Sequence, residues 1–139
     1  MPVRVKSKQE RIKIRNNFDV AEATLAAQRL AELAGFSRSQ QFMVSTAVSE
    51  LARNIFIYAK EGEVTIRILE RDNQRGIEVV AEDRGPGIAD VDAALKDGFS
   101  TSGGLGLGLP GARRLMDELE IDTKLGVGTK VTARKWVEA

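Results

Sequence analysis

The stretch 50-ELARN-54 pairs a carboxylate with an amide at a spacing that could hold a metal ion. Glu50 and Asn54 are four residues apart, so on a helix they lie on one face, one turn apart. Carboxylate and amide oxygens suit Mg²⁺, which takes few protein ligands and completes its coordination with phosphates and water. The same pair also fits an ordinary solvated helix face. On this motif alone both interpretations stay open.

The stretch 83-DRGPGI-88 follows a strand-like run and brings a second carboxylate to the strand end. Gly85-Pro86-Gly87 has the form of a type II turn, with proline at the second position and glycine at the third, where φ is positive. An ionised Asp83 only accepts hydrogen bonds. It would therefore accept from the amino group of adenine and repel the carbonyl of guanine. Without its context, the segment also fits a surface turn.

A glycine-rich run, 103-GGLGLGLPG-111, precedes an amphipathic helix. Glycine loses more freedom on folding than any other residue, so such a run indicates close backbone approach to a ligand, mobility or tight packing. Residues 106–111 match G-x-G-x-x-G, but loop residues stand where a dinucleotide site needs an apolar strand, and no Gly-Lys-Ser/Thr of a P-loop follows. Backbone N–H groups that run into a helix N-terminus favour anions, which predicts contact with nucleotide phosphates.

The elements that must position these motifs follow from periodicity and capping residues. The spacing of Val44, Val48, Leu51, Ile55 and Tyr58 predicts one buried helical stripe. The order of elements predicts an α+β fold, a two-layer sandwich with helices on one face of a mixed, mainly antiparallel sheet. We expect one domain over residues 1–139. The predicted strands are 3–15 (broken near 7–10), 64–68, 77–82, 120–125 and 129–137, with turns at 71–76 and 126–128, and the predicted helices are 19–35, 37–58, 90–96 and 109–119.

Composition excludes several classes of function. The chain of 139 residues has no cysteine and no histidine, which excludes disulfides, thiolate metal sites and phosphorylation of its own histidine. Its net charge of +1 gives no field that would attract nucleic acid. No apolar run approaches the roughly 20 residues of a membrane span, so we expect a cytoplasmic protein that binds neither nucleic acid nor membrane.

Taken together, the motifs are more specific than any one alone. E-x-x-x-N on a helix, D-x-G-x-G after a strand, G-x-G-x-G-L before a helix and G-x-G-T in a terminal hairpin occur in that order. This order resembles the nucleotide-binding domain of the GHKL ATPase superfamily, from about Asn17 to Trp136. The resemblance implies binding of ATP and Mg²⁺. It implies that Asn54 is the Mg²⁺ ligand, that Asp83 reads adenine, that Gly85 and Gly87 shape the adenine pocket and that Thr129 lies near the base. It assigns the phosphate lid to Gly103, Gly104, Leu105, Gly106, Leu107 and Gly108.

Three longer stretches, 48–59, 82–88 and 97–118, are similar to the RsbT-type switch kinases of the stressosome, within the anti-sigma-factor kinase class. This resemblance implies transfer of phosphate from ATP to a serine or threonine of STAS-domain scaffold and antagonist proteins. Glu50 is then the candidate general base, and Arg113 and Arg114 are candidate phosphate contacts. The released kinase is expected to activate a PP2C-type phosphatase.

Two alternative functions and one question of oligomeric state remain at this point. One is an anti-sigma factor that sequesters a sigma subunit and phosphorylates an anti-anti-sigma STAS protein. Another is a binding module that has lost catalysis, against which the intact Glu50 and Asn54 argue. A homodimer is the third open point, because the sequence does not decide the oligomeric state.

Overall fold

Five strands form one antiparallel sheet in the computed structural model, which describes residues 4–95 and 108–138. The order across the sheet is β1-β2-β3-β5-β4, and all four neighbouring pairs are antiparallel. The last strand of the chain therefore lies inside the sheet. The strands are β1 (Arg4–Ile14), β2 (Gly62–Arg71), β3 (Gln74–Asp83), β4 (Glu118–Lys124) and β5 (Gly128–Trp136).

Helices cover one face of this sheet, as predicted. Their inward residues bury an apolar core, to which α1 contributes mainly alanines and Leu30, and α2 contributes Val44, Val48 and Leu51. The small alanines let α1 approach closely, while β-branched residues fill the sheet side. The helices are α1 (Asn17–Ala34), α2 (Arg38–Asn54), α3 (Val91–Ala94) and α4 (Gly108–Leu115), and a π-helical segment spans Ile55–Ala59. No helix within the described ranges is long and apolar enough to cross a membrane.

Capping side chains set the helix boundaries. Ser37 caps α2 by accepting from the Gln40 N–H, and Gly35 ends α1 with φ of 98°. The predicted start of α1 after Asp19 is wrong. Asn16 is the cap, and its side chain accepts from the backbone N–H of Asp19, whose own carboxylate turns back to the Arg15 N–H.

Several further boundaries differ from the predictions, and three of these differences are instructive. The turn predicted at 71–76 is only two residues, Asp72 and Asn73, because both adopt the positive φ that a tight hairpin turn needs. Helix α4 ends at Leu115, four residues early, because the chain at Glu118 already pairs with β5. The predicted break in β1 is a register shift between Val5 and Gln9 within one continuous strand.

The sheet face without helices carries an ion-pair cluster around Glu118. Glu118 accepts from the Trp136 indole at 2.6 Å and from Arg71 at 3.0 Å, and Arg71 lies over the Trp136 ring at 4.4 Å. Partial burial alone would raise the pKa of Glu118. The hydrogen bonds from Trp136 and Arg71 and the charges of Arg71 and Arg134 outweigh it, so the pKa lies below its ordinary 4.5.

This cluster predicts acid sensitivity. A carboxyl with a lowered folded-state pKa stabilises the fold above its unfolded pKa, near 4.5, and that contribution is lost as the pH falls through the lower folded value. Glu118→Gln is therefore expected to lower stability at neutral pH and to flatten its decline below about pH 4.5. Urea unfolding between pH 3 and pH 7 measures this, with Glu120→Gln on the same strand as control. An unchanged slope for Glu118→Gln would contradict the prediction.

Candidate functional site

A single cleft gathers most of the motif residues. A cavity of about 460 Å³ lies where the ends of α2 and β3 meet the starts of β5 and α4. The predicted residues that line it are Asn54, Asp83, Gly87, Gly108 and Thr129. The rest of its wall is mostly apolar, including Leu51, Ile55, Ala81, Ile88, Leu109 and Val131. A concave apolar site with few converging polar groups is the usual form of a small-molecule site.

Asn54 and Glu50 lie one turn apart on α2, as predicted. Asn54 is half-buried and lines the cavity, whereas Glu50 does not line it and is 8% exposed. Within the described part of the chain, neither side chain has a hydrogen-bond or ion-pair partner. Glu50 thus presents a carboxylate without a protein partner one turn from the residue that lines the cavity.

The π-helical segment follows Asn54 directly. Short π-helical segments are rare and often occur at functional sites. This one brings Tyr58 and Ala59 to the cavity wall and ends at Lys60, which has φ of 72°. A Cβ at residue 85 would lie 2.7 Å from the Ala59 Cβ, so the segment leaves no room for a side chain there. Tyr58, which was predicted to belong to the buried stripe of α2, is instead 46% exposed.

Asp83 is held in place by the loop that follows it. Its Oδ1 accepts from the Gly85 N–H at 2.8 Å, and among the described residues its carboxylate has no other partner. The second oxygen is left for a ligand. Gly87 has φ of 80°, as a type II turn requires, and a Cβ there would lie 2.6 Å from the Lys124 carbonyl oxygen. The two glycines thus fix the loop that presents Asp83.

A pair of hydroxyls ties this loop to the last hairpin. Thr123 Oγ1 lies 2.9 Å from Thr129 Oγ1, accepts from the Ile88 N–H at 2.9 Å and lies 3.2 Å from the Gly128 carbonyl. A hydroxyl has one proton, so when Thr123 donates to Gly128 the Thr129 hydroxyl donates to Thr123. Thr129 then faces the cavity as an acceptor. Thr123 was missed by the sequence analysis, because only the register of the folded hairpin sets it opposite Thr129.

The described residues include only part of the predicted phosphate-binding elements. Gly103, Gly104, Leu105, Gly106 and Leu107 lie outside the described residues. Gly108 lines the cavity at the start of α4. Arg113 and Arg114 are exposed on α4 and do not line the cavity. The structure therefore does not bring these arginines to the other predicted residues.

The donor set fits a magnesium ion held mainly by the nucleotide. Among the described residues there is no cluster of three or more acidic or histidine ligands. The half-buried amide of Asn54, aimed at the cavity, is the available protein oxygen. One protein ligand is sufficient for Mg²⁺ when phosphates and water complete the octahedron.

Gly85→Ala is expected to weaken nucleotide binding by overpacking. The added Cβ would lie 2.7 Å from the Ala59 Cβ and 3.2 Å from Asp83 Oδ1. A clash of this kind costs about 1–3 kcal/mol, or about 5- to 150-fold in affinity if the loop must shift. Adding Ala59→Gly removes the closest contact and should restore part of the affinity, as titration calorimetry with ATP would measure. Equal affinity of Gly85→Ala and the parent would contradict the close packing.

Comparisons with known proteins agree with this geometry. The family model of the histidine kinase-like ATPase domain matches residues 15–135. The chain is 43% identical over 129 residues to the serine/threonine-protein kinase RsbT of Bacillus subtilis, covering 93% of this chain and 97% of that protein. It is 39% identical over 100 residues to the anti-sigma F factor of Caldanaerobacter subterraneus, covering 68% of each. The fold also matches the mycobacterial sensor histidine kinase MprB, with a TM-score of 0.56 at 19% identity over 93% of this chain and 97% of that one.

The α+β sheet, its helices on one face and the cleft at their ends are the architecture of an ATPase domain. The chain belongs to the histidine kinase-like ATPase domain family. Within that family it is a serine/threonine protein kinase, which confirms the class expected from the resemblance of the stretches 48–59, 82–88 and 97–118.

Proposed function

We propose that this kinase transfers the γ-phosphoryl group of ATP to a serine or threonine of STAS-domain proteins, the scaffold and antagonist of a stressosome. Once released from them, it binds and activates a PP2C-type phosphatase in a stress-signalling pathway. The convergence of Asn54, Asp83, Gly87, Gly108 and Thr129 on one cavity carries the ATP part of this proposal. The similarity to RsbT over 93% of the chain supports the choice of substrates.

Recognition of the base is assigned to Asp83 and Thr129. The free oxygen of Asp83 accepts from the amino group of adenine, and the Gly85 N–H keeps the carboxylate in the required orientation. The apolar wall, including Ile88 and Val131, covers the ring faces and excludes water. Guanine is rejected because its carbonyl would face the Asp83 carboxylate.

Transfer is assigned to the end of α2 and the start of α4. Asn54 would hold Mg²⁺, which screens the charge of the phosphates when it is bound. Gly108 lies at the N-terminus of α4, where backbone N–H groups favour anions. Glu50, buried one turn before Asn54, takes the proton of the attacking hydroxyl as general base. The oxygen of that hydroxyl forms a bond to the γ-phosphorus, and ADP leaves.

An anti-sigma factor is the second candidate function. The relatives named anti-sigma F factor support it, since one is 39% identical to this chain over 68% of its length. In that case the chain would sequester a sigma subunit and phosphorylate an anti-anti-sigma STAS protein. The kinase chemistry is the same in both proposals. They differ in the protein that the chain binds and regulates, which is a phosphatase in the first proposal and a sigma subunit in the second.

A phosphoryl-transfer assay distinguishes the switch kinase from the anti-sigma factor. Purified chain, Mg²⁺ and γ-labelled ATP are mixed with each candidate STAS protein, with Asn54→Ala as the variant that cannot hold the metal. Label on a serine or threonine of the scaffold and antagonist, lost in Asn54→Ala, supports the switch kinase. A sigma subunit retained on the immobilised chain with ADP, without phosphatase activation, supports the anti-sigma factor. No ATP binding would contradict both proposals.

A further inference from the structure

The Thr123 hydroxyl makes three polar contacts but has a single proton. The Ile88 backbone N–H can only donate, so at 2.9 Å it takes one lone pair of Thr123 Oγ1. The Gly128 carbonyl can only accept, so at 3.2 Å it takes the Thr123 proton. The second lone pair is left for Thr129, whose hydroxyl lies 2.9 Å away and must then donate. This arrangement makes all three contacts hydrogen bonds, and the reverse direction between the two threonines does not.

Thr129 therefore offers the cavity a lone pair and no proton. It lines the cavity, while its proton stays within the hairpin. In the register of β3 with β5, Thr129 lies opposite Asp83, another cavity residue, whose carboxylate accepts as well. Side chains at opposed positions have Cβ atoms about 4.5–5.5 Å apart. Two hydrogen-bond acceptors, one from each strand, thus lie side by side at this end of the cavity.

We propose that Thr123 is a positioning residue that sets the selectivity of the site for an exocyclic amino group. By accepting the Thr129 proton it keeps Thr129 an acceptor, so an amino group can donate one N–H to Asp83 and the other to Thr129. A base with a carbonyl, or with only hydrogen, at that position makes neither bond. The inference rests on the proposed binding of ATP and deepens it, because it assigns selectivity to a residue that does not line the cavity.

The loop after β3 is held against the hairpin by more than Thr123. The Gly126 N–H donates to the Pro86 carbonyl at 2.9 Å. The backbone at Gly87 lies so close to the hairpin that a Cβ there would be 2.6 Å from the Lys124 carbonyl oxygen. Valine has nearly the shape of threonine, so Thr123→Val should keep this packing and lose the hydroxyl. Any general weakening of the site then affects all nucleotides alike, whereas loss of the acceptor affects those with an amino group.

Calorimetry with two nucleotides tests the role of Thr123. The selectivity is the dissociation constant of purine riboside triphosphate, which lacks the amino group, divided by that of ATP. The parent is expected to favour ATP. In Thr123→Val the Thr129 hydroxyl is no longer held as an acceptor, so the selectivity should fall about three- to tenfold. Thr123→Ser keeps a hydroxyl and should stay within about twofold of the parent.

A double-mutant cycle shows whether Thr123 acts through Thr129. Thr129→Val removes the proposed acceptor itself and should lower the selectivity about as much as Thr123→Val. Adding Thr123→Val to it should then change the selectivity little, because the two substitutions remove the same hydrogen bond to the base. The single Thr129→Val variant also tests the inference in the case that Thr123→Val does not fold. An unchanged selectivity in Thr129→Val would overturn it.

Thr132→Val is the matched control. Thr132 lies on β5 opposite Val80 and Glu120, on the sheet face without helices, so its substitution should not change the selectivity. A parent that binds both nucleotides equally would contradict the proposed recognition of adenine itself. A parent that favours ATP, with the same selectivity in Thr123→Val, would overturn only the role of Thr123. In that case equal weakening of both nucleotides would show that Thr123 merely supports the fold.

Discussion

Glu50→Gln is expected to lower phosphoryl transfer by about 10²- to 10⁴-fold while ATP affinity stays within about twofold of the parent. Glutamine has nearly the same shape but cannot take the hydroxyl proton. Glu50 does not line the cavity, so ATP should lose no contact. Single-turnover transfer to the substrate protein and titration calorimetry with ATP measure the two quantities separately.

Glu78→Gln is the matched control for Glu50→Gln. Glu78 is also a buried carboxylate, 7% exposed, but it lies on the sheet face away from the helices and pairs with Arg67 and Arg134. Its substitution should lower the free energy of unfolding without changing the transfer rate of the folded protein. Transfer by Glu50→Gln at the parent rate would remove Glu50 from the role of base. A joint loss of transfer and ATP binding would indicate that it acts only by supporting the site.

Asp83→Asn is expected to weaken ATP binding by about 30- to 1000-fold, corresponding to about 2–4 kcal/mol. The new side chain can still accept from the Gly85 N–H through its oxygen, so the loop should keep its shape. Its amide NH₂ then faces the amino group of adenine, and two donors oppose each other in a mostly apolar cavity. Equilibrium binding of ATP, followed by calorimetry, measures the loss.

Binding of a nucleotide that lacks the adenine amino group distinguishes loss of base recognition from distortion of the whole site. Purine riboside triphosphate lacks the donor that Asp83 is proposed to accept, so the parent should bind it more weakly than ATP. Asp83→Asn should change its affinity little. Glu82→Gln, one residue earlier on the opposite face of β3, should leave both nucleotides unaffected. Equal losses for the two nucleotides in Asp83→Asn would contradict direct reading of the amino group.

The helix layer was predictable from the sequence because two signals coincide there. Ser37 caps α2, and the apolar spacing from Val44 to Ile55 has the period of an α-helix. The change to π-helical geometry after Asn54 was not predictable, because five residues are too few to distinguish two helical periods. The segment packs against the loop after β3, where a Cβ at residue 85 would lie 2.7 Å from the Ala59 Cβ, and this packing has no local sequence signal. The glycine-spaced loop after β3 was predictable, since proline and glycine at fixed positions define its turn.

The arginines of α4 stay predicted phosphate contacts, although neither lines the cavity. Arg113 and Arg114 follow the glycine-rich run, which suggested contact with phosphate. Leu109, Ala112 and Met116 are buried at helical spacing, so the arginines between them must face solvent. This was available in the sequence. The Thr123 hydroxyl, by contrast, gained importance only through the hairpin register that set it beside Thr129.

The position of β5 inside the sheet imposes an order on assembly during synthesis. Of the described strands β5 is the last made, yet it occupies the place between β3 and β4. Strands β1 to β3 can pair as the chain emerges, whereas Asp83 meets Thr129 only when β5 arrives from 46 positions later. Until then one edge of β3 is unpaired, and its backbone groups can form hydrogen bonds with incorrect strands. If ATP binds only after β5 has paired, its binding shifts the folding equilibrium toward the completed sheet by mass action. The nucleotide would then also promote folding of newly made chains.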